Sequence, residues 1–349
     1  MAVVVGAGVV SVAQSASPAM ACACGAPAPV ADDPNGDVMI NQEFAIISSQ
    51  STSEQVDMRL SIDSLARDSG LIMPTPSPAD VSLGDASAFE ALALEMTPTE
   101  VKSYNWWGDS VLETGGSGAA NNGAPGAAAP VVLDVVQLGP IEATVLAASD
   151  TQGLTDWLDA NGYGIRPEVT DLLATYVDKN WSFVAMKLTS TDTLGGDLDP
   201  IRFVFDMPKS GLVYPLALSQ AARSAQTVNV YIFDDHKRDV QFANGEDLDL
   251  FFTSSGLTWA APVSDPSLQA YGHYLSAYKL NFDQPDQQIL DDLVFPQSFD
   301  DTEYGTVVYT TVYVTFLGIP LGWFAVIVVV VAALVVAIVY RRRALAGRA

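Results

Sequence analysis

The stretch Leu154–Thr189 reads LTDWLDANGYGIRPEVTDLLATYVDKNWSFVAMKLT, and it decides the fold class. Leu154 to Asn161 reads as a short helix, and Gly162 stands where a helix end wants a positive φ. Pro167 opens a second helix to about Lys179, with Val169, Leu172, Leu173 and Tyr176 on one side. Trp181 to Thr189 then reads as a strand. Working outward, Ile141 to Ser149 is a strand upstream, and Ile201 to Met207, Val213 to Ser219, Thr227 to Phe233 and Ala277 to Phe282 are strands downstream. Two strands flank the paired helices, and hairpin-spaced strands follow. The pattern predicts an α+β fold, a mostly antiparallel sheet with helices on one face.

Further upstream, Gly115 to Pro130 is GGSGAANNGAPGAAAP, with no charge and no large apolar side chain. Such a segment cannot bury surface and reads as a linker or long loop over 114–130. It separates a β-rich region, 38–113, from the α+β region, 131–319. In the first region Glu43 to Ser48 is a short apolar run, and Val56, Met58, Leu60 and Ile62 alternate with polar residues, which buries one face of a strand. Pro74-Thr75-Pro76-Ser77-Pro78 stops regular pairing. Asp85 is an N-cap for a helix over Ala86 to Met96, with Phe89, Leu92, Ala93 and Met96 on one face. Tyr104-Asn105-Trp106-Trp107 either packs against the sheet or forms an exposed ligand platform. Val307 to Phe316 is a last strand or an extended stalk.

The two ends speak of a membrane. Val3 to Val12 is an apolar run of signal length, and Ala19-Met20-Ala21 fits a cleavage site, so 1–21 is a signal peptide and the mature chain begins at Cys22. No Lys or Arg precedes Arg59, so the usual basic n-region is missing. Gly6-Ala7-Gly8 after three valines imitates a dinucleotide fingerprint, but Ser11 replaces its third glycine and no helix pattern follows. At the other end Gly322 to Tyr340 carries no charged side chain. At 1.5 Å per residue it spans roughly 28 Å, the thickness of a hydrocarbon core. The expected parts are therefore a Cys/Pro/Ala-rich segment at 22–37, a transmembrane helix at 320–340 and a basic cytoplasmic tail at 341–349. Arg341-Arg342-Arg343 after the span, and Asp300, Asp301 and Glu303 before it, put the N-terminal side outside.

The chain holds 41 Asp+Glu against 16 Lys+Arg in 349 residues. Four basic residues (Arg341, Arg342, Arg343, Arg348) follow the span, so the exterior has 12 against all 41 acids, a net −29. Phosphate contacts need a basic footprint, which excludes nucleic acid. A basic protein face or divalent cations are the partners such a surface favours.

Cys22 and Cys24 are the only cysteines. They admit a local disulfide, lipidation of Cys22, or a metal or redox role. Ser276-Ala277-Tyr278-Lys279 has the spacing of penicillin-recognising serine enzymes, but the companion triads are absent and the segment reads as a strand. His236 lies in a charged turn, and His273 in Tyr271-Gly272-His273-Tyr274 reads as a core or aromatic-cluster histidine. Asp197-Leu198-Asp199 after two glycines, and Asp247-Leu248-Asp249 after Asn244-Gly245-Glu246, resemble loops that fold round Ca²⁺, the one cofactor the residues suggest. Solvated turns are the alternative. Paired carboxylates would also serve an extracytoplasmic hydrolase, though no spacing singles out a pair. The absence of a catalytic constellation favours a binding, adhesion or envelope-organising role.

From Leu154-x-x-Trp157-Leu158-x-x-Asn161-Gly162-Tyr163 onward the chain resembles a family of exported bacterial proteins, domain of unknown function 2330. Tyr176, Trp181-x-Phe183, Lys187-Leu188, Pro200-x-Arg202-x-x-Phe205 and Tyr214-Pro215-Leu216-x-Leu218-Ser219 continue the resemblance. Cys22-x-Cys24-Gly25, Glu43-x-Ala45-Ile46-Ile47, Pro74-x-Pro76 and Phe89-x-x-Leu92 fit it upstream. The resemblance implies a cell-envelope location and carries no catalytic residue. Physically, Trp157, Tyr163, Trp181 and Phe183 supply core area. Arg202, in an otherwise apolar strand, needs a carboxylate partner and is the best candidate for an anion contact.

Overall fold

The structure is a computed structural model that describes residues 26–29, 38–64, 68–106, 130–139, 141–189, 195–222, 224–246, 248, 255–317 and 319–346. The segment 1–21 expected as a signal peptide and most of the 114–130 stretch expected as a linker lie outside the described residues.

In chain order the strands are β1 (Ala26–Pro29), β2 (Val38–Gln50), β3 (Ser53–Ser64), β4 (Asp68–Thr75), β5 (Asp80–Leu83), β6 (Thr99–Asn105), β7 (Val131–Leu138), β8 (Ile141–Ala147), β9 (Ser182–Thr189) and β10 (Gly195–Asp197). They continue with β11 (Ile201–Asp206), β12 (Val213–Tyr214), β13 (Gln226–Asp234), β14 (Gln241–Phe242), β15 (Gly256–Pro262), β16 (Tyr274–Phe282), β17 (Leu293–Val294), β18 (Val307–Tyr313), β19 (Thr315–Phe316) and β20 (Ile319–Pro320). The helices are α1 (Ala86–Glu95), α2 (Thr151–Ala160), α3 (Pro167–Asp178), α4 (Pro285–Gln288) and α5 (Leu321–Ala346).

Two compact units result, one of 1–95 with 118–302, the other of 96–117 with 303–349. In the first, a five-stranded antiparallel sheet runs β1-β4-β9-β8-β7. A larger sheet runs β15-β16-β13-β2-β3-β11-β5, with β10 also on β3. It is antiparallel except where β13 meets β2. Strands from before and after the Gly/Ala-rich stretch are interwoven: β4 pairs with β9, and β3 with β11.

Side-chain alternation packs the two sheets together. On β9, Val184, Met186 and Leu188 enter one core, while Phe183 and Ala185 enter another. The first core lies between the sheets and takes Ala45, Ile47, Val56, Met58 and Leu60 from β2 and β3. The second lies under α2 and α3, where Leu154, Leu158, Val169, Leu173 and Tyr176 meet Ile72, Leu146 and Phe183. Each of these fully buried leucines stabilises the fold by about 2 kcal/mol. The helices thus cover one face of a mostly antiparallel sheet, as predicted, and the second sheet covers its other face.

Local signals act as expected. Gly162, just past α2, has φ 84°; at the other end Asp150 caps the helix through the amides of Gln152 and Gly153, which starts α2 at Thr151, ahead of the expected Leu154. Asp85 accepts from Ser87 N at 2.9 Å at the start of α1. Three readings need correction. Pro74 does not stop pairing, because β4 stays paired with β9 through Thr75. By then β1 has left the other side of β4 at Ile72, so the missing proline N–H breaks no ladder there. The strand expected over Val213 to Ser219 is only Val213–Tyr214, because Pro215 ends it and a 3₁₀ helix follows over Ala217–Ala221. His273 is no core histidine: its side chain is 73% exposed, since it precedes β16 instead of lying within it.

The second unit is built on a parallel ribbon of β6 and β18, in register from Val307↔Thr99 to Tyr313↔Asn105. Val307 to Phe316 is therefore two short strands, β18 and β19, and β20 leads into α5. Leu321–Arg343 of α5 is long and apolar enough to cross a membrane, with mean hydropathy 3.1. The helix continues past the three arginines to Ala346.

Candidate functional site: a buried segment clasped by acidic side chains

The segment Leu212–Ala222 reads LVYPLALSQAA and holds the family-like Tyr-Pro-Leu-x-Leu-Ser motif. It threads from one core to the other. Leu212, Tyr214 and Leu216 lie in the inter-sheet core, and Ala217, Leu218 and Ala221 under the helices. A two-residue strand and a 3₁₀ turn cannot satisfy their own buried amides, and each orphan would cost about 1–3 kcal/mol.

Acidic side chains supply the acceptors. Both carboxylate oxygens of Glu54 lie 3.1 Å from Val213 N. The Tyr214 hydroxyl donates to Glu43 Oε1. Asp292 Oδ1 accepts from Ala217 N at 3.1 Å and from the Tyr176 hydroxyl. Lys179 Nζ reaches Asp292 Oδ2 at 3.0 Å and spans the rings of Tyr176 and Trp181. Arg166 Nη2 donates to Ala221 O at 2.9 Å.

Burial governs the protonation of this clasp. It pushes the Glu54 carboxyl well above its ordinary value, against the pull of Val213 N–H. It also raises Asp292, though Lys179, Tyr176 and Ala217 N pull the other way. Tyr176 is raised by burial and by the Asp292 charge. Asp171 on α3 is raised as well, by burial and by the neighbouring Glu168 charge, but it stands outside this clasp, whose raised carboxyls are Glu54 and Asp292. Both are turned to backbone amides inside the core.

Glu43 and Glu54 were not singled out as site residues from the sequence. A signal existed: Glu43 shares the inward parity of Ala45 and Ile47, and Glu54 that of Val56, Met58 and Leu60. An acid at an inward strand position announces a buried partner.

A second cluster lies on the opposite face of the large sheet. Arg202 and Asp57 are direct cross-strand neighbours on β11 and β3. Arg202 Nε and Nη2 donate to Asp57 Oδ1 and Oδ2 at 2.7 and 2.6 Å. The Tyr271 hydroxyl donates to Asp57 Oδ2 at 2.9 Å and lies 3.0 Å from Arg202 Nη2. The expected carboxylate partner of Arg202 is thus Asp57, which is fully buried and takes both prongs of the fork. Nearby, Arg59 lies over the rings of Phe44 and Phe89, which seats α1 on this face.

The proposed calcium residues stand as follows. Asp197 ends β10, its backbone opposite Ser61 of β3, and Asp199 is exposed. Asp247 and Asp249 lie outside the described residues, as do Cys22 and Cys24. Among the described residues, no group of three or more His, Cys, Asp or Glu side chains could hold a metal ion. Ser276 and Lys279 both lie on β16, three positions apart, so they point to opposite faces and cannot cooperate. His236 Nδ1 pairs with Asp301 at 2.9 Å, and His273 Nδ1 with Asp235 at 3.1 Å, both at the surface.

The model of domain of unknown function 2330, described as an uncharacterized protein conserved in bacteria, matches residues 18–296. The chain belongs to that family. No curated protein matches it. Among solved structures it is similar to baculovirus P35, at 8% identity and TM-score 0.31, over 75% of this chain and 97% of that one. It is also similar to a mutated baculovirus P35 after caspase cleavage, at 7% identity and TM-score 0.33, over 75% and 98%. Likeness at that level carries no argument for this chain.

Proposed function

We propose that the chain is a single-pass protein of the bacterial cell envelope whose acidic exterior binds a partner. The signal peptide 1–21 is removed, α5 holds the protein in the membrane, and the N-terminal side faces outward. The observation that carries the reading is α5 itself. None of its most apolar window is buried within the chain. Each Å² of such surface left in water is unfavourable by about 25 cal/mol, so lipid is its natural surrounding. Arg341, Arg342 and Arg343 favour a cytoplasmic C-terminus.

The carboxylates of Glu43, Glu54, Asp57 and Asp292 are spent on internal amides and tyrosine hydroxyls, on Lys179 and on Arg202, so they hold the scaffold. The remaining acids supply the field that a basic protein face or divalent cations would meet, in an adhesion or envelope-organising role. Protease added to cells without an outer membrane should remove 22–319 and spare the span. Protection of that whole region would overturn the orientation. Pull-down from envelope extracts should then recover a basic partner that salt releases, and capture of neutral small molecules alone would overturn the binding role. Melting in Ca²⁺, Mg²⁺ and NaCl of matched ionic strength tests the cation form of the partner at Asp197/Asp199 and Asp247/Asp249. Equal shifts in all three would remove it.

A further inference from the structure

A helix entering lipid must satisfy its first four amides, because hydrocarbon offers no acceptor. In α5 two of them find backbone carbonyls outside the helix. Leu321 N donates to Val314 O at 2.8 Å, and Gly322 N to Trp106 O at 2.9 Å. The second acceptor comes from the end of β6, more than two hundred positions upstream. The parallel pairing of β6 with β18 makes this possible, since both strands run toward the helix start.

Polarity changes along that ribbon. Near its beginning Glu100 and Lys102 form an exposed ion pair at 3.2 Å. At its end come Tyr104, then Trp106, 49% exposed. At about 3.3 Å per residue the charged pair lies roughly 13–20 Å back from Trp106. Around the helix start stand Phe316, whose ring meets Phe324 at 4.7 Å, then Leu317 and Trp323, 53% exposed. Amphipathic rings prefer the headgroup level of a bilayer. Exposed apolar side chains gathered about one helix start, to which the Trp106 carbonyl is bonded, form a collar of the kind that marks an interaction surface.

We infer that the end of β6 is a second membrane-contacting element, with Trp106 seated beside Trp323 at the headgroup–acyl boundary of the phospholipid leaflet that α5 enters. The occupant of the collar is the same bilayer the helix spans, because the Trp106 carbonyl is bonded to the helix's own first turn. The inference rests on the membrane reading of α5.

The test uses the full chain in phosphatidylcholine vesicles whose acyl chains are brominated just below the headgroup. Bromine quenches only tryptophans at that depth, and the chain has six. Trp106→Phe should remove a share of the quenched emission comparable to that lost in Trp323→Phe. Trp157→Phe, in α2 of the other unit, should remove none. Loss with Trp323→Phe but not with Trp106→Phe would overturn the inference and leave the anchor standing. Loss with neither would overturn both. Trp106 is half exposed, so a ring-for-ring exchange leaves packing intact.

Discussion

On one face of the large sheet, Glu43 and Glu54 are buried against the Leu212–Ala222 segment, and on its other face Asp57 is sealed under Arg202 and Tyr271. At the end of the β13–β16 pair, Asp235 and Asp301 meet His273 and His236 in solvent. The side-chain chemistry is the same, and the energetics are not. A buried carboxylate must be hydrogen-bonded or protonated, so it constrains the backbone it touches. An exposed pair is screened and contributes little.

The contrast breaks most visibly at Arg202. Arg202→Ala leaves Asp57 buried without its counter-charge and should cost about 3–5 kcal/mol in urea unfolding of the detergent-solubilised chain. A loss near zero would mean that water reaches Asp57. Next comes Asp292→Ala, which orphans Ala217 N and the Tyr176 hydroxyl and should cost about 3 kcal/mol. If Asp292→Ala costs no more than Asp291→Ala, the clasp is not holding the segment.

Glu54 sharpens the comparison through pH. Its folded value is raised above the ordinary 4.5, so the folded state keeps a proton that the unfolded state gives up. That contribution is fully present below about 4.5 and is lost as pH rises toward the folded value. Glu54→Gln should therefore flatten the fall in stability over that window and stabilise the chain at neutral pH. An unchanged slope would place the titration elsewhere.

The smallest effect is expected at His236. Asp301 raises it above 6.5, so its contribution is present below 6.5 and fades as pH rises through the folded value. Its NMR titration midpoint should fall back toward 6.5 in Asp301→Asn, with global stability scarcely changed. A large shift in melting temperature would show the surface pair to be structural.

Much of the fold was legible because it is local. The 3.6-residue spacing of Val169, Leu173 and Tyr176 and the period-2 run of Val56, Met58 and Leu60 write their own faces. Gly162 and Pro167 mark ends that need no distant partner. Arg202 advertised a missing carboxylate, since a charge in an apolar strand demands one. The identity of that carboxylate was not legible, because β3 and β11 lie 145 positions apart at Asp57 and Arg202.

The sequence by itself determined many of the elements of this protein, its excess of acidic over basic residues and the apolar run near its C-terminus. These follow from propensity, period and composition, which are properties of neighbouring residues. Only the tertiary structure decided that two sheets pack face to face, that Glu43 and Glu54 clasp Val213 and Tyr214, and that β6 meets the start of α5. Glu43 reaches Tyr214 across 171 positions, and nothing along the chain encodes such a pairing. It is selected when burial leaves a polar group with one remaining partner.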